Sequence, residues 1–181
     1  MIWLKNVLIV FSLDVQAKLM PSTIANLVAA RDYCLTHPVD IVIFTGGLFN
    51  QQKGQTRPAA ELMNEWWQAQ GQFPRYPETI CENNSLITRE NVPMTVINMA
   101  QHDISLGDCR IVATSDFWHL LGIGVLFLRL YGKWIRICSS KFRLPLKYIV
   151  ERLAKAIYYL AFPRGDDAKT QQVVAERGGG R

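Results

Sequence analysis

Ile111-Val112-Ala113-Thr114-Ser115-Asp116-Phe117-Trp118-His119 decides the fold. A short apolar run meets three polar residues and passes at once into the long apolar stretch Leu120 to Leu128. Such a pattern reads as a buried strand ending at a helix start. The same kind of run recurs at Val7 to Phe11, Ile41 to Thr45 and Trp134 to Cys138, with a weaker one at Thr79 to Cys81. Fully apolar strands are those covered on both faces of a parallel sheet. Between them lie segments with apolar residues three and four apart, such as Ile24, Leu27, Val28 and Tyr33, or Leu62, Met63, Trp66 and Trp67. Those are amphipathic helices. Strand and helix alternating at this spacing predict right-handed βαβ crossovers, hence an α/β chain built as a three-layer α/β/α sandwich around about five mainly parallel strands. A last helix is expected from Pro145 to Phe162, with Leu146, Ile149, Val150, Leu153 and Ile157 on its apolar face. Residues 1–163 then form one domain, and the polar stretch 164–181, ending in three glycines and an arginine, is expected to be disordered.

In an open parallel sheet, ligands bind outside the carboxyl ends of the strands, so the residues just after each strand carry the functional information. Here they are Ser12-Leu13-Asp14, Thr45-Gly46-Gly47, Glu82-Asn83-Asn84-Ser85 and Thr114-Ser115-Asp116. All four would meet at one cleft. Gly46-Gly47 lets a ligand or another loop come close to the backbone, but no GxGxxG pattern or phosphate-loop lysine accompanies it. In the second half of the cleft, Ser85 fits a helix cap, with Thr88 and Asn91 following on one face of that helix. A helix amino terminus favours an anion or polar ligand, and Glu82 just ahead of it offers a carboxylate acid or base. The alternative is a well-capped helix beside an ordinary loop carboxylate. His119, about one turn beyond Ser115, is the one histidine at a strand-to-helix junction and is the candidate acid, base or donor. Ser115 lacks the GxSxG elbow of a nucleophile, and no HxH or HExxH set suggests a metal. Trp66, Trp67, Phe117 and Trp118 could stack on a flat ligand, though such aromatics usually pack in a core. Trp118 is the best exception because it adjoins His119.

The order strand, Gly46-Gly47, Glu82-x-x-Ser85-x-x-Thr88-x-Glu90-Asn91, strand, Thr114-Ser115 and His119 resembles the domain shared by the bacterial YdcF, SanA and ElyC proteins. The likeness runs in order from Val7 to Phe162. It implies a Rossmann-like α/β/α fold, a polar cleft at the strand ends and a part in bacterial envelope biogenesis. It also implies a small-molecule ligand, for which S-adenosylmethionine or a nucleotide is the candidate cofactor. The residues carried over are Gly46, Gly47, Glu82, Ser85, Thr88, Asn91, Ser115 and His119. Asp14, Thr114 and Trp118 join them as neighbours in the cleft. Three positions depart from the pattern: Pro58-Ala59-Ala60 replaces a Ser-Glu-Ala, Leu121-Gly122 stands where an arginine is common, and Pro21-Ser22 stands where another is expected. Two positive charges are thereby missing from the cleft, for which Arg57 or Arg89 is the available replacement.

The chain has 181 residues, is 49% hydrophobic and carries a formal net charge of +5, composition that invites a nucleic-acid or membrane-surface reading. The charge is uneven. Residues 1–128 hold 8 Lys and Arg and 11 Asp and Glu, a net of −3; residues 129–181 hold 12 and 4, a net of +8. The basic excess is expected outside the cleft, where it makes either a solvated surface or peripheral contact with an anionic membrane. No recognition-helix, RNP or zinc-finger pattern supports nucleic-acid binding. No apolar stretch approaches the roughly 20 residues of a membrane span, the amino terminus shows no signal-peptide cleavage site, and four scattered cysteines read as reduced thiols. A cytoplasmic protein, or one peripheral at the inner face of the membrane, is the expectation.

Overall fold

A computed structural model describes residues 4–70, 73–86, 88–141 and 145–161. The strands β1 (Lys5–Phe11), β2 (Ile41–Thr45), β3 (Glu78–Glu82), β4 (Cys109–Ser115) and β5 (Arg136–Ser139) form one sheet in the order β3-β2-β1-β4-β5. Every pairing is parallel, with Phe11 opposite Thr45, Thr45 opposite Glu82, Val10 opposite Thr114 and Thr114 opposite Cys138. The fold is a Rossmann-like three-layer α/β/α sandwich. The strand order reverses between β1 and β4. That is the switch point where adjacent crossovers diverge and leave a crevice.

Alternation along the strands divides the core in two. Leu8, Val10, Val42, Phe44 and Val112 face α1 (Pro21–Thr36) and α2 (Ala59–Gln70), where Leu27, Ala30, Met63 and Trp67 meet them. Val7, Ile9, Phe11, Ile43, Ile111 and Ala113 face the other way, toward α3 (Thr88–Gln101) and α4 (Phe117–Tyr131). Trp67 is wholly buried between Phe44 and Phe73, so this half of the Trp66-Trp67 pair is core.

Two local expectations are corrected. The fifth strand starts at Arg136 rather than Trp134: Gly132 ends α4 in the left-handed region at φ 63°, and the connection carries Trp134 out to 75% exposure. The last helix, α5 (Leu146–Ala161), forms as expected, yet its apolar residues do not pack on the sheet. It lies on α4 instead, burying Ala156 and Tyr159. Gly122 faces Tyr159 across this contact: a Cβ there would stand 3.4 Å from the ring, at van der Waals distance. Arg129 of α4 donates to the Tyr159 carbonyl and, at 3.4 Å, to that of Leu160. The expected disordered stretch 164–181 lies outside the described residues.

Candidate functional site

The carboxyl ends of the neighbouring strands β1 and β4 lie beneath a cavity of about 430 Å³. Ser12 and Leu13 come from the β1–α1 loop, Arg89 and Asn91 from the first turn of α3, His119 from the start of α4, and Arg152, Lys155, Tyr158 and Tyr159 from α5. Phe49 and Leu86 close the apolar side. Among the described residues the lining holds three cationic side chains and no carboxylate. A small side pocket continues past His119 to Trp118 and Gly122.

His119 is set by the β4–α4 junction. Asp116 is the N-cap of α4: its Oδ1 accepts from the His119 backbone N–H at 2.9 Å. Its Oδ2 lies 3.7 Å from Arg152 Nε. One buried carboxylate thus fixes the helix start and draws α5 toward the cleft. The His119 ring is 4% exposed and meets Ser115 Oγ through Nδ1 at 2.9 Å. Ser115 Oγ also accepts from Asn26 Nδ2 at 3.3 Å, and that amide donates to the Phe11 carbonyl at 2.9 Å. Asn26 therefore fills the split between β1 and β4. With Asn26 donating to Ser115, the serine hydroxyl is free to donate to Nδ1, an arrangement that leaves the ring proton on Nε2. Among the described residues Nε2 has no hydrogen-bond partner. Burial, then the positive charges of Arg152 and Lys155, hold the imidazole pKa well below its ordinary value. His119 is neutral at neutral pH. Ser115 is wholly buried and is not part of the cavity lining, so it positions the imidazole rather than attacking a ligand.

Glu82 does something different. Its carboxylate is buried and accepts from Thr45 Oγ1 at 2.8 Å, Ser85 Oγ at 2.5 Å, Asn84 N at 2.7 Å and Ser85 N at 2.9 Å. Four donors occupy both oxygens. Ser85 is spent on this knot and lies ahead of α3, which begins at Thr88; the α3 entry is held instead by Glu90 Oε2, which accepts from Leu86 N at 2.9 Å. Gly46 and Gly47 belong to the same knot. Their N–H groups donate to the Glu82 carbonyl at 3.1 Å and the Ser85 carbonyl at 2.7 Å, so neither amide is offered to a ligand. A Cβ on Gly46, at φ 145°, would stand 2.3 Å from Ser12 Oγ, and one on Gly47 would stand 2.4 Å from the Asn83 carbonyl oxygen. The glycines permit close approach of loops.

Of the residues expected at the cleft, His119 and Asn91 line the cavity and Trp118 lines its side pocket. Ser115 supports His119 from beneath. Gly46, Gly47, Glu82 and Ser85 shape the adjoining loops. Thr114 is buried in β4, and Asp14 holds Asn50 Nδ2 at 3.3 Å in the β1–α1 loop. The Thr88 side chain lies outside the described residues. Arg57 is turned away, paired with Glu65 at 2.7 Å and Glu61 at 3.4 Å. Arg152 and Lys155 overturn the expectation that the basic carboxyl-terminal region stays clear of the cleft. Their signal was present as an i, i+3 pair of cations on one helix, but only the docking of α5 on α4 aims them at the cavity.

Among the described residues no three His, Cys, Asp or Glu side chains converge as a metal site, and no helix is long and apolar enough to cross a membrane. No protein-family model, curated protein or solved structure matches this chain.

Proposed function

We propose that the chain binds a small anionic metabolite, one bearing a phosphate group, in the cavity over the β1–β4 switch point. The observation that supports this most is the convergence of Arg89, Arg152 and Lys155 on a cavity shared with a buried neutral imidazole whose Nε2 lacks a partner among the described residues. Cations and an N–H donor in a partly dehydrated site are what phosphate oxygens require. Phe49, Leu13 and Leu86 in the same lining accept an apolar or flat portion of the same ligand. A nucleotide-like ligand satisfies both kinds of lining residue. S-adenosylmethionine fits less well, because its sulfonium and ammonium would face cations with no carboxylate among the described lining residues. Of the expected acid–base pair, His119 alone lines the cavity, so binding, with His119 as hydrogen-bond donor or proton carrier, is the reading adopted. A place in envelope biogenesis, as the resemblance to the YdcF, SanA and ElyC proteins implies, is part of the same proposal.

The test is a thermal-shift screen of the purified chain against mononucleotides, sugar phosphates, cell-wall precursors and S-adenosylmethionine, with mass spectrometry of copurified small molecules. Stabilisation by phosphate-bearing compounds, growing with concentration as binding to the native state requires, is the expected result. Stabilisation by S-adenosylmethionine alone, or by none of the set, would count against it.

A further inference from the structure

Asn26 sits in the first half of α1, wholly buried and outside the cavity lining, and its amide is only half used. Among the described residues, Nδ2 donates to the Phe11 carbonyl at 2.9 Å and to Ser115 Oγ at 3.3 Å, while Oδ1 has no hydrogen-bond partner. A buried carbonyl oxygen left unpaired is costly, so what this amide contributes lies in its two N–H groups. The Phe11 carbonyl can only accept, and Nδ2 rather than Oδ1 must therefore face it. The backbone of β1 thus fixes which way the amide points, and with it the donor aimed at Ser115.

Each group down the line then has a single role. Ser115 is wholly buried, and among the described residues its Oγ meets Asn26 Nδ2 on one side and His119 Nδ1 on the other. Because the first is a donor, the hydroxyl hydrogen goes to Nδ1, and a neutral ring that accepts there carries its proton on Nε2. Nε2 is the ring atom without a partner, and the cavity it shares is lined by Arg89, Arg152 and Lys155, whose side chains donate and cannot accept. The opposite tautomer would turn a lone pair toward any oxyanion those cations hold, and repel it. We propose that Asn26 is a positioning residue which, through Ser115, makes His119 a hydrogen-bond donor, so that the cavity selects fully ionised phosphoryl oxygens over ammonium groups and protonated acids. The choice of ligand rests on the phosphate-binding function proposed for this cavity; the tautomer does not.

Two-bond proton–nitrogen correlation NMR of the isotope-labelled full chain at pH 7.5 reads the tautomer of each ring, and His119→Gln identifies the His119 signals among the three histidines. The native ring should carry its proton on Nε2 alone. In Asn26→Asp the atom facing Ser115 becomes an acceptor, whether the carboxyl is ionised or spends its hydrogen on the Phe11 carbonyl. Ser115 then donates to it, and a proton should appear on Nδ1 of His119, a change that a merely structural role for Asn26 would not produce. Ser115→Ala removes the relay and serves if Asn26→Asp fails to fold by circular dichroism; both tautomers should then be populated. A native ring protonated on Nδ1, or a folded variant still protonated on Nε2 alone, would overturn the proposal. Inorganic pyrophosphate should move the Nε2 resonance of the native ring, as a new acceptor on its hydrogen does. Pyrophosphate that raises the melting temperature without moving that resonance would refute the part of Asn26 in ligand choice. Pyrophosphate that does not bind at all would count against the phosphate-binding function instead, with the tautomer standing as measured.

Discussion

His119 is where local sequence and distant packing meet. Asp116, three residues before it, fixes its backbone, and Ser115, four before it, fixes its ring. Burial holds it neutral, aided by cations that come from α5. Because its folded pKa lies below the ordinary value near 6.5, the unfolded chain binds the proton more readily. The stability this contributes is complete above about pH 6.5 and is lost as pH falls through the folded pKa. We therefore expect the melting temperature to decline on acidification from pH 7.5 to 5, and the part of that slope due to His119 to vanish in His119→Gln. Differential scanning calorimetry of both proteins checks it; identical slopes would mean that His119 titrates as an exposed histidine.

At the scale of the elements, strand and helix order was legible because β1, β2 and β4 are compact apolar runs buried on both faces. The edge strands β3 and β5 are partly exposed and read more weakly. The junctions were only half legible. Thr45, Glu82 and Ser85 were visible as polar residues after strands, but a sequence cannot show whether a carboxylate faces a ligand or four donors of its own chain. The register that sets Thr45 opposite Glu82 decided it. Likewise the apolar period of α5 was plain, and its covering was not, because α5 lies outside the sheet's two helix layers and touches α4. The Glu82 knot makes a measurable prediction. Glu82→Gln keeps the shape but swaps two charge-assisted acceptor oxygens for one acceptor and one donor amid N–H and O–H donors. The expected loss is about 1–3 kcal/mol of unfolding free energy in urea, with no change in m-value. Unchanged stability would mean that those donors are satisfied without it.

The net charge of the whole molecule concealed its arrangement. An acidic body and a basic carboxyl-terminal segment are not separate territories, since α5 folds back over the β4–α4 junction and adds Arg152 and Lys155 to Arg89. Most of the cavity's positive charge thus comes from an element outside the sheet's two helix layers. Gly122 faces the Tyr159 ring where that element docks. The cavity, the neutral imidazole and the packing of α5 form one arrangement, whose central claim is that an anion joins His119 to the α5 cations. The most direct measurement is an NMR pH titration of the His119 ring, alone and with inorganic pyrophosphate, in the native chain and in an Arg152→Ala/Lys155→Ala variant. An anion beside Nε2 favours the protonated ring. The account predicts that pyrophosphate raises the His119 pKa in the native chain and has little effect in the double variant. A His119 titration unmoved by pyrophosphate, or moved equally in both proteins, would contradict it.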